Sequence, residues 1–142
     1  MESRSVGGVD DMAKIQGHGE CVLIIDGDQS VRKMILQMVL FLGYSATAVA
    51  SGEEAVSHLE RNPAQLVMFE MHLNPGLNGC DTYARILALR PGQPAIVVSA
   101  YAEMGEVDRA LDLGVSQFVQ KPFTIHELGS AIQKALAGSD LA

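Results

Sequence analysis

Four residues stand out for what their side chains can do together. Asp26, Glu70, Ser99 and Lys121 each close, or directly follow, a short apolar run: CVLIID over 21–26, QLVMFE over 65–70, AIVVS over 95–99 and SQFVQ over 116–120. Two carboxylates, a hydroxyl and an ammonium around one crevice are the parts needed to handle a phosphoryl group. A carboxylate serves as nucleophile or metal ligand, and Ser and Lys hold the charge that develops on the oxygens. A single polar residue at a strand end is more often a solvated terminus. Four on separate runs carry meaning only if a fold gathers them, so the elements between them decide.

A fifth run, YSATAVA over 44–50, alternates polar with small apolar residues and suits an edge strand, giving five strands in all. Helical spacing separates them. Val31, Met34, Ile35, Met38, Val39 and Leu42 form the first stripe, with Gly43 placed as a left-handed cap. Ser51 with Glu54 is a capping box opening a second helix, which Asn62 and Pro63 close. Tyr83, Ile86 and Leu87 before Pro91 mark the third, and Met104, Val107, Ala110 and Leu111 before Gly114 the fourth. Thr124 with Glu127 opens the fifth, with the stripe Ile125, Leu128, Ile132 and Leu136.

Strands separated by helices are almost forced to be parallel, and parallel strands covered on both faces are continuously apolar, as LVMF and AIVV are. The expectation is a (βα)5 α/β fold of the flavodoxin-like, doubly wound kind with strand order 2-1-3-4-5. Ligands of such folds sit beyond the carboxyl ends of the strands, at the switch between strands one and three. Residues 1–20 read as a linker or disordered N-terminal segment, 21–138 as the domain and 139–142 as a tail.

The chain has 142 residues, 48% hydrophobic and 19% charged, which suits one domain. Its net charge of −7 argues against direct nucleic-acid or anionic-membrane partners. Cys21 and Cys80 form no metal-ligand pattern, and no signal-peptide pattern or long apolar stretch occurs, so a cytoplasmic protein is expected.

These pieces resemble the receiver (CheY-like) domain of two-component response regulators. The resemblance rests on VLIID at 22–26, LVMFE at 66–70, PGLNG at 75–79, VVSA at 97–100, LG at 113–114 and FVQKPF at 118–123. The PG form of the loop after strand three, and GHGE at 17–20, are similar to receivers attached to hybrid sensor histidine kinases. The resemblance implies a phosphorelay module. In such receivers an aspartate ending strand three takes a phosphoryl group from a kinase phosphohistidine, supported by Mg2+ held partly by two adjacent acids after strand one. It further implies phosphate contacts from Ser99 and Lys121, an aromatic switch at Phe118, and a cis bond before Pro122. Mg2+ would draw on Asp26, on the residue-70 carboxylate and on the backbone carbonyl of His72.

Two departures fall on that chemistry. The phosphoacceptor position holds Glu70 rather than aspartate, and one extra methylene moves the carboxylate by ~1.5 Å where a ~1 Å misplacement can cost ~100-fold. The second acid of the pair is Gly27, which removes a carboxylate ligand of the kind Mg2+ uses. Asp28 stands one residue further on, either as a member of the acidic pocket or as a helix-start acid. The expectation is a pseudo-receiver with no catalytic residue of its own, not an enzyme, acting by protein–protein interaction. Mg2+ would bind weakly at best. Glu70, being longer, would place its charge nearer Lys121 and Ser99 and partly imitate the phosphorylated form.

Its partner would be a histidine kinase or another signalling domain, engaged through the fourth helix, fifth strand and fifth helix. Two alternatives remain: a functional receiver phosphorylated on Glu70, and a haloacid-dehalogenase-like phosphatase. In the latter, IIDGDQS would supply Asp26 as nucleophile and Asp28 as acid/base. His18, His58 and His126 read as surface residues, and the ring of His72 has no expected role.

Overall fold

Every strand residue with a helix layer above and below it must be apolar, and here successive residues feed two cores. In the computed structural model, which describes residues 12–141, Val22 and Ile24 of the first strand point to one side and Leu23 and Ile25 to the other. The strands are β1 (Cys21–Ile25), β2 (Ser45–Val49), β3 (Leu66–Phe69), β4 (Ala95–Ser99) and β5 (Gln117–Gln120). All pairs are parallel, in the order β2-β1-β3-β4-β5. The fold is the flavodoxin-like (βα)5 arrangement that the sequence leads one to expect.

Five helices connect and follow the strands: α1 (Gln29–Phe41), α2 (Gly52–Arg61), α3 (Gly79–Leu89), α4 (Met104–Leu113) and α5 (Ile125–Leu141). On one face of the sheet α1 supplies Ile35 and Val39, and α5 supplies Leu128 and Ile132. On the other face α2, α3 and α4 supply Leu59, Tyr83, Ile86 and Ala110. The caps are where sequence chemistry puts them. Ser51 Oγ accepts from Glu54 N, Thr124 and Glu127 bond reciprocally, and Gly114 ends α4 at φ 114°, a conformation that favours glycine.

The N-terminal stretch differs from its linker reading over its described part. From Met12 onward the chain is seated on the domain. Ile15 is buried in the α1–α5 core, against Gly129 of α5, where a Cβ would come within 2.7 Å of Ile15 Cδ1. Gly17 N–H donates to the Leu42 carbonyl and Gln133 Nε2 to that of Gln16. At the other end α5 runs on to Leu141, through most of the expected 139–142 tail. Residues 1–11 and 142 lie outside the described residues.

The register aims the chemistry. Phe69 stands between Ile25 of β1 and Val97 of β4, so Asp26 and Glu70 leave the sheet side by side. Ser99 is opposite Gln120, and Lys121 follows it.

Candidate functional site

At the carboxyl ends of β1, β3, β4 and β5 the four side chains meet. Asp26 is buried, with Oδ1 accepting from Asp28 N (2.9 Å) and Oδ2 paired with Lys121 Nζ (2.8 Å). Glu70 reaches the same ammonium through Oε1 (2.7 Å), while Oε2 accepts from Ser99 Oγ (2.5 Å) and His72 N (3.1 Å). One ammonium thus stands between two buried carboxylates, and each carboxylate oxygen has a donor. Buried charges persist only when paired and hydrogen-bonded in this way.

The electrostatics follow from that enclosure. Burial by itself would raise the Glu70 pKa, but the bonds from Lys121, Ser99 and the His72 amide outweigh it and hold the carboxyl below its ordinary value. Burial would lower Lys121, yet its bonds to Asp26 and Glu70 raise it above its ordinary value.

Asp28 is not a member of this cluster. Its Oδ1 accepts from Ser30 N (2.9 Å) and Val31 N (3.1 Å), so it is the N-cap of α1, where an acid also meets the positive end of the helix. Gly27 adds no ligand, although a Cβ there would meet nothing nearer than the Ala50 carbonyl at 3.7 Å. The site does not fit Mg2+. That ion demands a near-octahedral shell of oxygens, and with Gly27 the site offers one carboxylate fewer and holds the Lys121 ammonium between the two that remain. Among the described residues no three His, Cys, Asp or Glu side chains come together as a metal site.

Other singled-out positions are spread around the rim. The Lys121–Pro122 bond is cis, as is Asn74–Pro75. Phe118 points outward, 40% exposed, on β5. The His72 ring, by contrast, is tied down. Its Nε2 lies 2.9 Å from the Tyr101 carbonyl, Nδ1 lies 3.9 Å from Glu106 Oε2, and the ring stacks on that of Tyr101. The signal for this pair was present as spacing. His72 stands two residues after Glu70 and Tyr101 two after Ser99, which puts both in the loops that follow the neighbouring strands β3 and β4.

A family model of the response regulator receiver domain matches residues 22–133. The chain belongs to the receiver family. Its relatives include the C4-dicarboxylate transport transcriptional regulatory protein DctD of Rhizobium meliloti, 30% identical over 80% of this chain and 25% of that one. The sporulation initiation phosphotransferase F of Bacillus subtilis is 26% identical over 82% of this chain and 94% of its own length. The first five curated relatives are longer, and this chain spans from a quarter to a half of them. Among solved structures, a CheY-like receiver from Methanospirillum hungatei superposes with a TM-score of 0.81 at 25% identity, covering 87% of this chain and 98% of that one. The receiver domain of a Pseudomonas aeruginosa sensor histidine kinase gives 0.75 at 29%, covering 84% and 98%, and that structure has a magnesium ion coordinated in its active-site cleft.

This receiver is thus a two-component signalling module, and in its pocket the Lys121 ammonium lies between Asp26 and Glu70. Beside the crevice, α4 and the start of its loop expose Tyr101, Met104 and Leu111, close in sequence to the exposed Phe118 of β5. A polar groove of about 670 Å³ runs between β5 and α5, lined among others by Phe118, Lys121, His126, Ser130 and Lys134. No described helix is long and apolar enough to cross a membrane.

Proposed function

We propose that this receiver works without a phosphorylation cycle and signals by protein–protein contact. The observation that carries the reading is the Lys121 ammonium held between Asp26 and Glu70. In-line phosphoryl transfer needs a nucleophilic oxygen that is free to attack and a cation to gather the phosphate oxygens. Here the Glu70 carboxylate is longer than the aspartate it replaces and is held on Lys121, Ser99 and the His72 amide, and Gly27 leaves the acid pair one metal ligand short. The domain would act in the cytoplasm as a binding module rather than an enzyme. Its partner would be a histidine kinase or another signalling domain, docking on α4, β5 and α5. Exposed Tyr101, Met104, Leu111 and Phe118 would give that contact its apolar area.

Glu70 reaches Lys121 and Ser99, as an imitation of phosphate would require. Its one negative charge is balanced by Lys121, and Phe118 stays outward, so the imitation stops at the pocket. The test is a magnesium titration with and without beryllofluoride, followed by NMR at Glu70, Ser99 and Phe118. The reading expects no saturable shift at any of the three. Saturable, beryllofluoride-dependent shifts would restore a working phosphoacceptor.

A further inference from the structure

We infer that residues 12–19 are a displaceable strap, an internal ligand lying in a seat on α5 and the α1–β2 turn that takes a peptide segment of the pattern aliphatic-x-Gly.

Two residues of that stretch make the fit. After one turn of helix, in which the Ile15 and Gln16 N–H groups donate to the Met12 and Ala13 carbonyls, the strap crosses the turn at 42–44. Of residues 12–19 only Ile15 and Gly17 are buried. Each meets a complementary residue of the domain. Beneath Ile15 lies Gly129, where the three atoms nearest a Cβ would all be those of Ile15, at 2.7–3.2 Å. Gly17 in turn lies on the Tyr44 ring, whose atoms would stand 2.5–2.6 Å from a Cβ at residue 17. A notch in α5 thus selects an aliphatic side chain, and a flat ring selects glycine two residues later. Hydrogen bonds to the strap's main chain fix the spacing. Gly17 N–H donates to the Leu42 carbonyl (2.6 Å), Gly19 N–H to that of Gly43 (2.8 Å), and Gln133 Nε2 to that of Gln16 (3.1 Å). Folded domains hold extended peptides in this manner, with main-chain bonds for affinity and side-chain pockets for specificity.

The closed strap also carries a cost. The Tyr44 ring is buried, and its hydroxyl has no hydrogen-bond partner among the described residues. Burial and the charge of Glu20 push the pKa of that hydroxyl up to about 12. A buried hydroxyl without a partner opposes the closed state, and lifting the strap from the ring returns it to water. The contacts that seat the strap are therefore set against one that favours its release, as exchange for a partner's peptide requires. The seat shares no residue with the trio of Asp26, Lys121 and Glu70.

The test is amide exchange on the full chain, followed by peptide binding. In the wild type the Gly17 and Gly19 amides should be at least ~100-fold less protected than those of β1 and β3, because the strap opens while the sheet stays folded. Gly129→Ala fills the notch with the residue that helices favour most. It should lower strap protection about tenfold further and leave the sheet amides as protected as before, or more so. In Ile15→Ser the seat loses its anchor, and a synthetic peptide of residues 12–20 added in trans should give saturable NMR shifts at Tyr44 and Gly129. The same peptide with Gly17→Ala should give none. Strap amides as protected as those of β1, sheet amides that lose protection together with the strap in Gly129→Ala, or no saturable shift from the unmodified peptide would make residues 12–19 a fixed part of the core and overturn the strap. Equal shifts from both peptides would overturn the aliphatic-x-Gly pattern.

Discussion

The pocket at the carboxyl ends of β1 and β3 and the exposed apolar side chains of α4, its preceding loop and β5 differ in what they leave unsatisfied. In the pocket every charge finds its partner inside the molecule: Lys121 with Asp26 and Glu70, Ser99 and the His72 amide with Glu70. On the face, Met104 is 79% exposed and Phe118 40%, with Tyr101 and Leu111 similarly open. A pocket complete in itself has little to gain from an external cation or phosphoryl group. An apolar face gains by being covered. The contrast sets apart two properties of a receiver, chemistry at the strand ends and recognition beside them.

The largest expected effect comes from stranding the pocket's charges. Lys121→Met leaves two buried carboxylates facing each other, and urea denaturation should show a loss of about 3–5 kcal/mol. A loss under ~1 kcal/mol would mean that the trio is solvated and that the pocket is not closed.

Next in size is Glu70→Gln, expected to lose about 1–2 kcal/mol near neutral pH through weaker bonds to Lys121 and Ser99. It should also change the pH profile. Because the folded-state pKa of Glu70 is lowered, its contribution is complete above the ordinary value of 4.5 and is lost as pH falls below it toward the folded value. Lys121 is raised, so its contribution is complete below 10.5 and fades as pH rises through its higher folded value. Stability measured against pH should therefore be level from ~5 to ~10 as far as this trio is concerned, and Glu70→Gln should flatten the acid limb alone. An acid limb identical to wild type would remove Glu70 from the account.

Smallest is the face. Phe118→Ser and Met104→Ser should each shift unfolding free energy by no more than about 0.5 kcal/mol, as exposed substitutions do. A loss above ~2 kcal/mol for Phe118→Ser would place that ring in the core and erase the contrast.

How much of this was legible in the sequence depended on how local each cause is. The strands were legible because burial on both faces demands uninterrupted apolar runs such as LVMF, and the capping pairs because Ser51 or Thr124 and a Glu three residues on interact within one turn. Asp28 was not settled, since a helix start and an acidic pocket ask for the same residue type, and only the backbone turn puts its carboxylate on Ser30 and Val31. Ile15 was missed because its partner is a notch over Gly129, more than a hundred residues away, and its own neighbourhood is rich in glycine and polar residues. The ion trio was half legible: the residues were named, but that Lys121 would bridge the two acids depends on register across four strands.

Whether this pocket accepts a phosphoryl group can be read by incubating the protein with acetyl phosphate and magnesium and mapping adducts by mass spectrometry. The double variant Gly27→Asp with Glu70→Asp, for which the backbone at residue 27 leaves room, serves as the restored comparison. A pocket with Gly27 for an acid and the longer Glu70 at the acceptor position should give no phosphoryl adduct on the wild-type chain and one on Asp at position 70 in the double variant. A stoichiometric adduct on Glu70 of the unmodified protein would refute the reading that these two residues disable transfer.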